Sequence, residues 1–165
     1  MKAQLKVMYQ TDSLHLALVR GILDQRGWLG ADVIGYQGNL TLWFVIQHSD
    51  LEVQLQYLPM IQAAVKMGNA RPEHLALLED RIAVRQGRKQ VYGSQMGFDP
   101  ETGEFYIPPL VDPDNIDKRR SEVGLNSYQE YVSTWGLTWD IEEYKRSLLE
   151  MEAKHKKILD ALKDQ

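Results

Sequence analysis

Gln90-Val91-Tyr92-Gly93-Ser94-Gln95-Met96-Gly97-Phe98, then Asp99-Pro100-Glu101-Thr102-Gly103, then Phe105-Tyr106-Ile107-Pro108-Pro109-Leu110 is the stretch whose reading decides the fold. Before it, apolar side chains recur every three or four positions, the helical period. Within it the period changes, around a turn-rich pentad with its glycine placed late. That pattern predicts a β-hairpin near residues 90–110, with strands at Gln90–Phe98 and Phe105–Leu110. Pro108 and Pro109 have no amide hydrogen to give a ladder, so the second strand is expected at an edge and to end early. The rest of the 165 residues reads as helix and connector. The expected fold class is therefore mainly α (α+β): a single compact domain over residues 1–165, with six to seven helices and one hairpin.

Working back from the hairpin, Pro72 to Arg85 reads as a helix with proline in its first turn and Gly87 after its end. Asp50 can cap the preceding helix, which runs to about Met67 and is expected to kink or break at Pro59. Asn39 is expected to cap a short helix, Leu40 to His48, that is apolar nearly all round and so buried on most sides. Trp28 to Gly38 reads as an irregular, glycine-punctuated connector. Ser13 to Arg26 reads as a helix with two apolar rows, Leu16/Val19/Leu23 and Leu14/Leu18/Ile22. Beyond the hairpin, Asp112-Pro113 can open a helix that Gly124 closes, and Asn126 or Ser127 caps another ending at Trp135-Gly136. The last helix, Asp140 to Lys163, carries Ile141, Tyr144, Leu148, Met151, His155, Ile158 and Leu162 along one side. That row packs on the domain or permits a two-chain contact, a route to a homo-oligomer.

Composition narrows the function classes. Hydrophobic residues make up 44% and charged residues 25%, ordinary for a soluble globular chain. The net charge of −4 argues against nucleic acid as a partner, since phosphate binding needs a basic stripe. No apolar run approaches a membrane span. With no cysteine, disulfides, thiolate zinc sites and cysteine nucleophiles are excluded. His15, His74 and His155 are scattered over separate helices, and no cofactor motif occurs, so neither metal nor cofactor is expected. Met1-Lys2-Ala3-Gln4-Leu5-Lys6 lacks the apolar core of a signal peptide. The compartment stays open between cytoplasm and, after removal of an export signal, periplasm.

Three polar blocks stand where a plain helical protein would be apolar. His48, with Gln47, ends an apolar helix; a half-buried imidazole oriented by Asp50 or Asp80 has the makings of a general base. The plain alternative is a histidine hydrogen-bonded at a helix C-terminus, with Asp50 an ordinary N-cap. Asp80 and Arg81 flank an apolar face within their helix, where an arginine fork suits an anionic group or an internal aspartate equally. On the expected strand, Gln90, Tyr92 and Ser94 share one face and Val91, Gly93 and Gln95 the other. Tyr92 can donate to developing negative charge, and Gly93 admits close approach. Arg120 can reach this polar centre or pair with Asp117 or Glu122. The Asp112/Asp114/Asp117 set fails as a calcium loop and reads as helix capping.

Two functions fit. One is a small hydrolase or transferase acting on an anionic small molecule, with His48, Asp80 and Tyr92 catalytic and Gln47, Arg81, Gln90, Gln95 and Arg120 binding. The other is a non-catalytic binding or interaction module whose polar residues form a buried structural network. An open pocket favours the first, and a sealed, mutually bonded cluster the second.

The blocks Gly27-Trp28-Leu29-Gly30, Val45-Ile46-Gln47-His48-Ser49-Asp50, Leu77-Leu78-Glu79-Asp80-Arg81, Gln90-Val91-Tyr92-Gly93-Ser94-Gln95 and Arg119-Arg120-Ser121-Glu122-Val123-Gly124-Leu125, in that order, resemble a widespread bacterial family of uncharacterised domains, one labelled a domain of unknown function. The resemblance covers residues 12–136, with the C-terminal helix, residues 140–163, beyond it. It implies one domain type and no established activity, and its members often follow an export signal or a lipoprotein-type start. The chain departs from the pattern in a shorter region before Asp12, and in His15 where asparagine is usual.

Overall fold

A computed structural model of the chain describes the backbone of residues 2–163 and the side chains of residues 12–161. Among them are seven α-helices and one two-stranded antiparallel sheet. The elements are α1 (Lys2–Arg26), α2 (Ala31–His48), α3 (Leu51–Lys66), α4 (Pro72–Arg85), β1 (Gly97–Asp99), β2 (Glu104–Tyr106), a 3-10 turn (Pro113–Asn115), α5 (Ile116–Glu122), α6 (Tyr128–Ser133) and α7 (Ile141–Lys163). They form two compact units, residues 1–75 and 76–165, each with its own core.

In the first unit, Val19 and Leu23 of α1, Leu42, Trp43 and Ile46 of α2, and Val53, Tyr57, Ile61 and Ala64 of α3 are buried, each set at helical spacing. Asp50 caps α3 as expected, its carboxylate accepting the Val53 amide at 3.0 Å. Two expectations fail here. The connector before Asn39 is helical: α2 begins at Ala31 and is interrupted only at Gly35, whose φ of 71° no helix accommodates. Asn39 is accordingly no cap. Its buried side-chain amide donates to the Leu29 carbonyl at 2.8 Å and the Asn69 carbonyl at 2.9 Å, tying the two loops together. Nor does Pro59 break α3. It lies on the exposed side, where the Leu55 carbonyl it leaves without an amide can turn to water.

The second unit packs Leu110, Ile116, Tyr128, Val132 and Tyr144 together, with Met96, Ile107 and Trp139 against them. α6 opens with a full capping box, Ser127 accepting the Glu130 amide and Glu130 the Ser127 amide. On α7, Tyr144 and His155 are buried in this unit and Ile141, Leu148, Met151 and Ile158 half-buried, while the side chain of Leu162 lies outside the described residues.

The hairpin is where expected but far shorter. β1 and β2 hold three residues each, paired Gly97 to Tyr106, Phe98 to Phe105 and Asp99 to Glu104. The turn is closed by Asp99, which accepts the Glu101 amide at 2.9 Å, with Gly103 at φ 75°. The second strand does stop before the proline pair. Gln90 makes only an isolated parallel bridge with Leu110, and Val91 to Met96 is not strand, because the amides of Val91, Tyr92 and Ser94 are claimed by a side chain instead of a neighbouring strand.

The hairpin docks on α7 through polar contacts. Lys154 lies 2.7 Å from Asp99, which holds the Asp99 carboxyl down at about 2, and its ammonium sits 5.1 Å from the centre of the Tyr106 ring. Nδ1 of His155 is 2.8 Å from the Tyr106 hydroxyl, and burial pushes the His155 imidazole below its ordinary range. Both shifts make acid destabilising. For His155, the unfolded chain takes up the proton first, so stability falls as pH drops below about 6.5. For Asp99, the contribution is whole above the unfolded value of about 4 and is lost as pH falls toward 2. Thermal unfolding followed against pH should therefore show two descending limbs, with Asp99→Asn flattening the lower and sparing the upper.

Candidate functional site

Four of the residues nominated for the ligand site, with Asp80, build one cluster in the second unit, and a fully buried carboxylate is its centre. Asp80, 0% exposed on α4, accepts three main-chain amides: Val91 at 2.7 Å, Tyr92 at 3.1 Å and Ser94 at 2.8 Å. Burial pushes its carboxyl up from the ordinary range, and the amides of Ser94, Tyr92 and Val91 pull the other way. These amides are why residues 90–96 form a wrapped loop and no strand.

The carbonyls of the same loop face cations. Arg119 donates from Nε to the Val91 carbonyl at 2.8 Å, and Arg120 from Nη1 to the Tyr92 carbonyl at 2.8 Å. The Val91–Tyr92 peptide thus has its N–H on Asp80 and its C=O on Arg119. Tyr131 closes the far end, its hydroxyl donating to the Ser94 carbonyl at 2.6 Å. Arg120 is 1% exposed. Its remaining nitrogens reach the Asn126 carbonyl (2.7 Å) and side-chain oxygen (2.9 Å), and its guanidinium lies 5.5 Å and 5.0 Å from the Tyr128 and Tyr131 ring centres. Of the two outcomes open to Arg120, reaching the polar centre is the one realised.

Two glutamines lock the loop from within. Gln90 imitates a strand partner, its side-chain oxygen accepting the Gln95 amide at 2.7 Å and its nitrogen donating to the Gln95 carbonyl at 3.0 Å. The Gln95 side chain accepts from Arg81 Nε at 2.9 Å and donates to the Ser94 carbonyl at 3.0 Å. Arg81 is half-buried, its pKa pressed down by burial and by the neighbouring Arg85. Tyr92 is half-buried too, and burial, with Glu79 and Asp80 nearby, raises its phenol. Gly93 bends the loop at φ 62°, against the Tyr128 ring: a Cβ there would come within 2.5 Å of Cε2.

His48 and Gln47 belong to the first unit. Gln47 is buried, and its carbonyl accepts the Gln54 side chain at 2.7 Å. His48 is exposed where half-burial was expected. Its ring packs on Phe44 with centroids 4.3 Å apart, and that side of α2 stays uncovered, Phe44 itself being 53% exposed. The half-buried imidazole of this unit is His74, stacked on Trp43 at 4.2 Å and shifted down by burial. Among the described residues, no three His, Cys, Asp or Glu side chains assemble a metal site, and no helix is long and apolar enough to cross a membrane.

The model of a family of unknown function, DUF6624, matches residues 3–142. The chain belongs to that family. No curated protein and no solved structure matches it. The DUF6624 match takes in the whole Asp80–loop–Arg120 cluster and α1 to α6, and ends within the first turn of α7.

Arg119, Asn126, Tyr128 and Tyr131 are the members that sequence reasoning missed. Tyr128 and Tyr131 are three apart on a short helix, and Arg119 adjoins Arg120, so their spacing carried the signal; nothing in it told which of their faces turned inward. A second feature had no polar motif to announce it. In the first unit a groove of about 550 Å³ runs between α1 and α2, walled by Leu18, Ile22, Leu29, Ile34, Phe44 and Val45 among others.

Asp80→Asn must set an amide donor against at least one main-chain amide whichever way it turns, and should cost about 3 kcal/mol. Gly93→Ala combines the positive φ with a collision on a buried ring and should cost about 2 kcal/mol or more. Urea unfolding of both variants measures these losses, and amide exchange should show residues 91–94 released first in Asp80→Asn.

Proposed function

We propose that this protein acts by binding a partner and performs no chemistry of its own: it is a non-catalytic interaction module, and its polar cluster is internal scaffolding. The Asp80 cluster is the observation that carries the reading. A general acid or base has to reach a substrate proton. The Asp80 carboxylate instead spends its acceptor positions on three amides, and Arg120 spends its guanidinium on the Tyr92 carbonyl, Asn126 and two tyrosine rings. Of the two acids expected to orient His48, Asp50 is an N-cap and Asp80 accepts main-chain amides.

The surface that suits a partner is the apolar side of the first unit. Leu14, Leu18 and Ile22 of α1 and Val33, Tyr36 and Phe44 of α2 are exposed, and Leu18, Ile22 and Phe44 wall the groove between the two helices. Exposed apolar side chains beside a groove are a mark of an interaction site.

A thermal-shift panel tests the reading. Phosphate, sulfate and small carboxylates at millimolar concentration should leave the Tm of the chain unchanged, because the cluster holds no place for them. A rise in Tm that Arg81→Ala abolishes would overturn the proposal. His48→Ala, at an exposed position, should change stability by no more than about 0.5 kcal/mol.

A further inference from the structure

One cavity of the second unit combines aromatic walls with negative charge that no neighbour balances. A space of about 280 Å³ opens between β2, residues 137–140 and α7 as far as Met151. Phe105, Tyr106, Trp139 and Tyr144 supply rings to it, Asp140 and Glu143 supply carboxylates, and no lysine, arginine or histidine lines it. Glu142, the next acid on α7, is answered: Lys145 lies 3.5 Å from it and 2.6 Å from Asp114. Asp140 meets main chain instead, its Oδ1 accepting the amides of Glu142 at 3.0 Å and Glu143 at 2.9 Å. Among the described residues no cation pairs with Asp140 or Glu143.

The rings meet as a corner and not as a stack. Trp139 and Tyr144 have centroids 5.1 Å apart and planes inclined at 51°. Phe105 stands at the open side, 41% exposed. The face of an aromatic ring is the negative part of its quadrupole and attracts a cation within about 6 Å of the centre. One wall already does so: Lys154, which is not among the lining residues, has its ammonium 5.1 Å from the centre of the Tyr106 ring. Phe105, Trp139 and Tyr144 are left to a ligand.

The wall hydroxyls narrow the class of that ligand. Tyr144 accepts the Leu110 amide at 2.7 Å, Tyr106 is bonded to Nδ1 of His155 at 2.8 Å, and Ser147 donates to the Tyr144 carbonyl at 3.2 Å. With these taken, the cavity offers aromatic faces and negative charge more than hydrogen bonds. A primary ammonium is strongly hydrated and would lose that water without replacing it. A neutral apolar molecule would desolvate two carboxylates and balance neither, and an anion would be repelled. An alkylated ammonium fits each condition, being a cation with an apolar surface and no N–H to satisfy. Size agrees, because the volume sits at the small end of ligand pockets and suits a headgroup better than a chain.

We propose that this cavity binds an alkylated ammonium group, seated on Phe105, Trp139 and Tyr144 with Asp140 and Glu143 balancing its charge. The site goes beyond the reading of the protein as an interaction module, whose apolar surface belongs to the first unit.

Choline chloride is the probe, with sodium chloride as the salt control. Its uncharged carbon analogue, in which a tert-butyl group replaces the trimethylammonium, has the same shape without the charge. Calorimetric titration of the full chain should show one saturable choline site, millimolar or tighter, and at least about tenfold weaker binding of the analogue. Phe105→Leu keeps an apolar wall and removes a ring face, while Glu143→Gln keeps the shape and removes a charge. Both positions are exposed, and each variant should weaken choline by about threefold or more without strengthening the analogue. The proposal is overturned by no saturable binding up to about 100 mM choline, by equal affinity for choline and the analogue, or by choline binding that both variants leave unchanged. If one variant loses its far-UV circular dichroism, the other variant and the analogue decide the matter. Phosphatidylcholine vesicles identify the source of the headgroup: co-sedimentation that choline reverses marks a lipid, and choline binding without it marks a free ion. A chain that ignores both choline and phosphate removes this site and leaves the module reading standing. A chain that binds choline here and whose Tm rises with phosphate through Arg81 does the reverse.

Discussion

A buried carboxylate with no buried cation touching it is the constraint on which the second unit depends. Asp80 is sealed from water, so its charge has to be met by whatever the chain can bring, and what it brings is main chain: three amides from residues 91–94. Meeting that demand takes the loop out of the strand conformation, needs glycine at 93 to turn it, and points its carbonyls at α5, where Arg119 and Arg120 answer them. Gln90, Gln95 and Tyr131 then satisfy the groups that remain. α4, the loop, α5 and α6 are thereby fixed against one another by polar contacts as much as by the apolar core around Tyr128.

The first unit has the opposite character. Its polar devices are few and local: Asp50 capping α3, Asn39 joining two loops, Trp43 bonded to the His74 carbonyl at 2.9 Å. Its remaining surface is unusually apolar, with large side chains exposed on α1 and α2. One unit turns its charged groups inward onto its own main chain, and the other leaves large apolar side chains exposed. That contrast is what supports the proposed binding role: Asp80 and Arg120 are taken up by their own unit, and the exposed side chains of α1 and α2 are of the kind that buries well against another surface.

Where the sequence proved legible, a residue announced its own local role. Asp50, Pro72 and Gly87 mark helix ends by chemistry acting within a few residues, and those ends were read correctly; of Asn126 and Ser127, the second is the cap. The pentad from Asp99 to Gly103 located the hairpin for the same reason. The length of its strands was not legible, because the acceptor that dismantles Gln90–Met96 as a strand sits on α4, and alternation along the loop looks the same either way. Helix α2 ends at His48 as expected but was misread at its start and in its burial. A glycine inside a helical pattern does not say whether it stops the helix or only interrupts it, as Gly35 does. Likewise the apolar run before His48 does not reveal that Phe44 and His48 are exposed. Of the candidate site, the membership of Asp80, Arg81, Gln90, Gln95 and Arg120 was readable from the polar blocks. Their purpose was not, since that depends on which main-chain groups they meet.

The peptide between Val91 and Tyr92 has one further consequence. Its N–H rests on Asp80 and its C=O on Arg119, so anion and cation neutralise each other through an intervening backbone dipole and never meet. It is a salt bridge stretched by the thickness of one amide plane. A direct pair sets its own spacing, but here the peptide plane, bent at Gly93, sets the distance between the two charges, and Arg119 keeps Asp112 3.4 Å away as a second anion. The charge balance of the unit is therefore stored in a main-chain torsion.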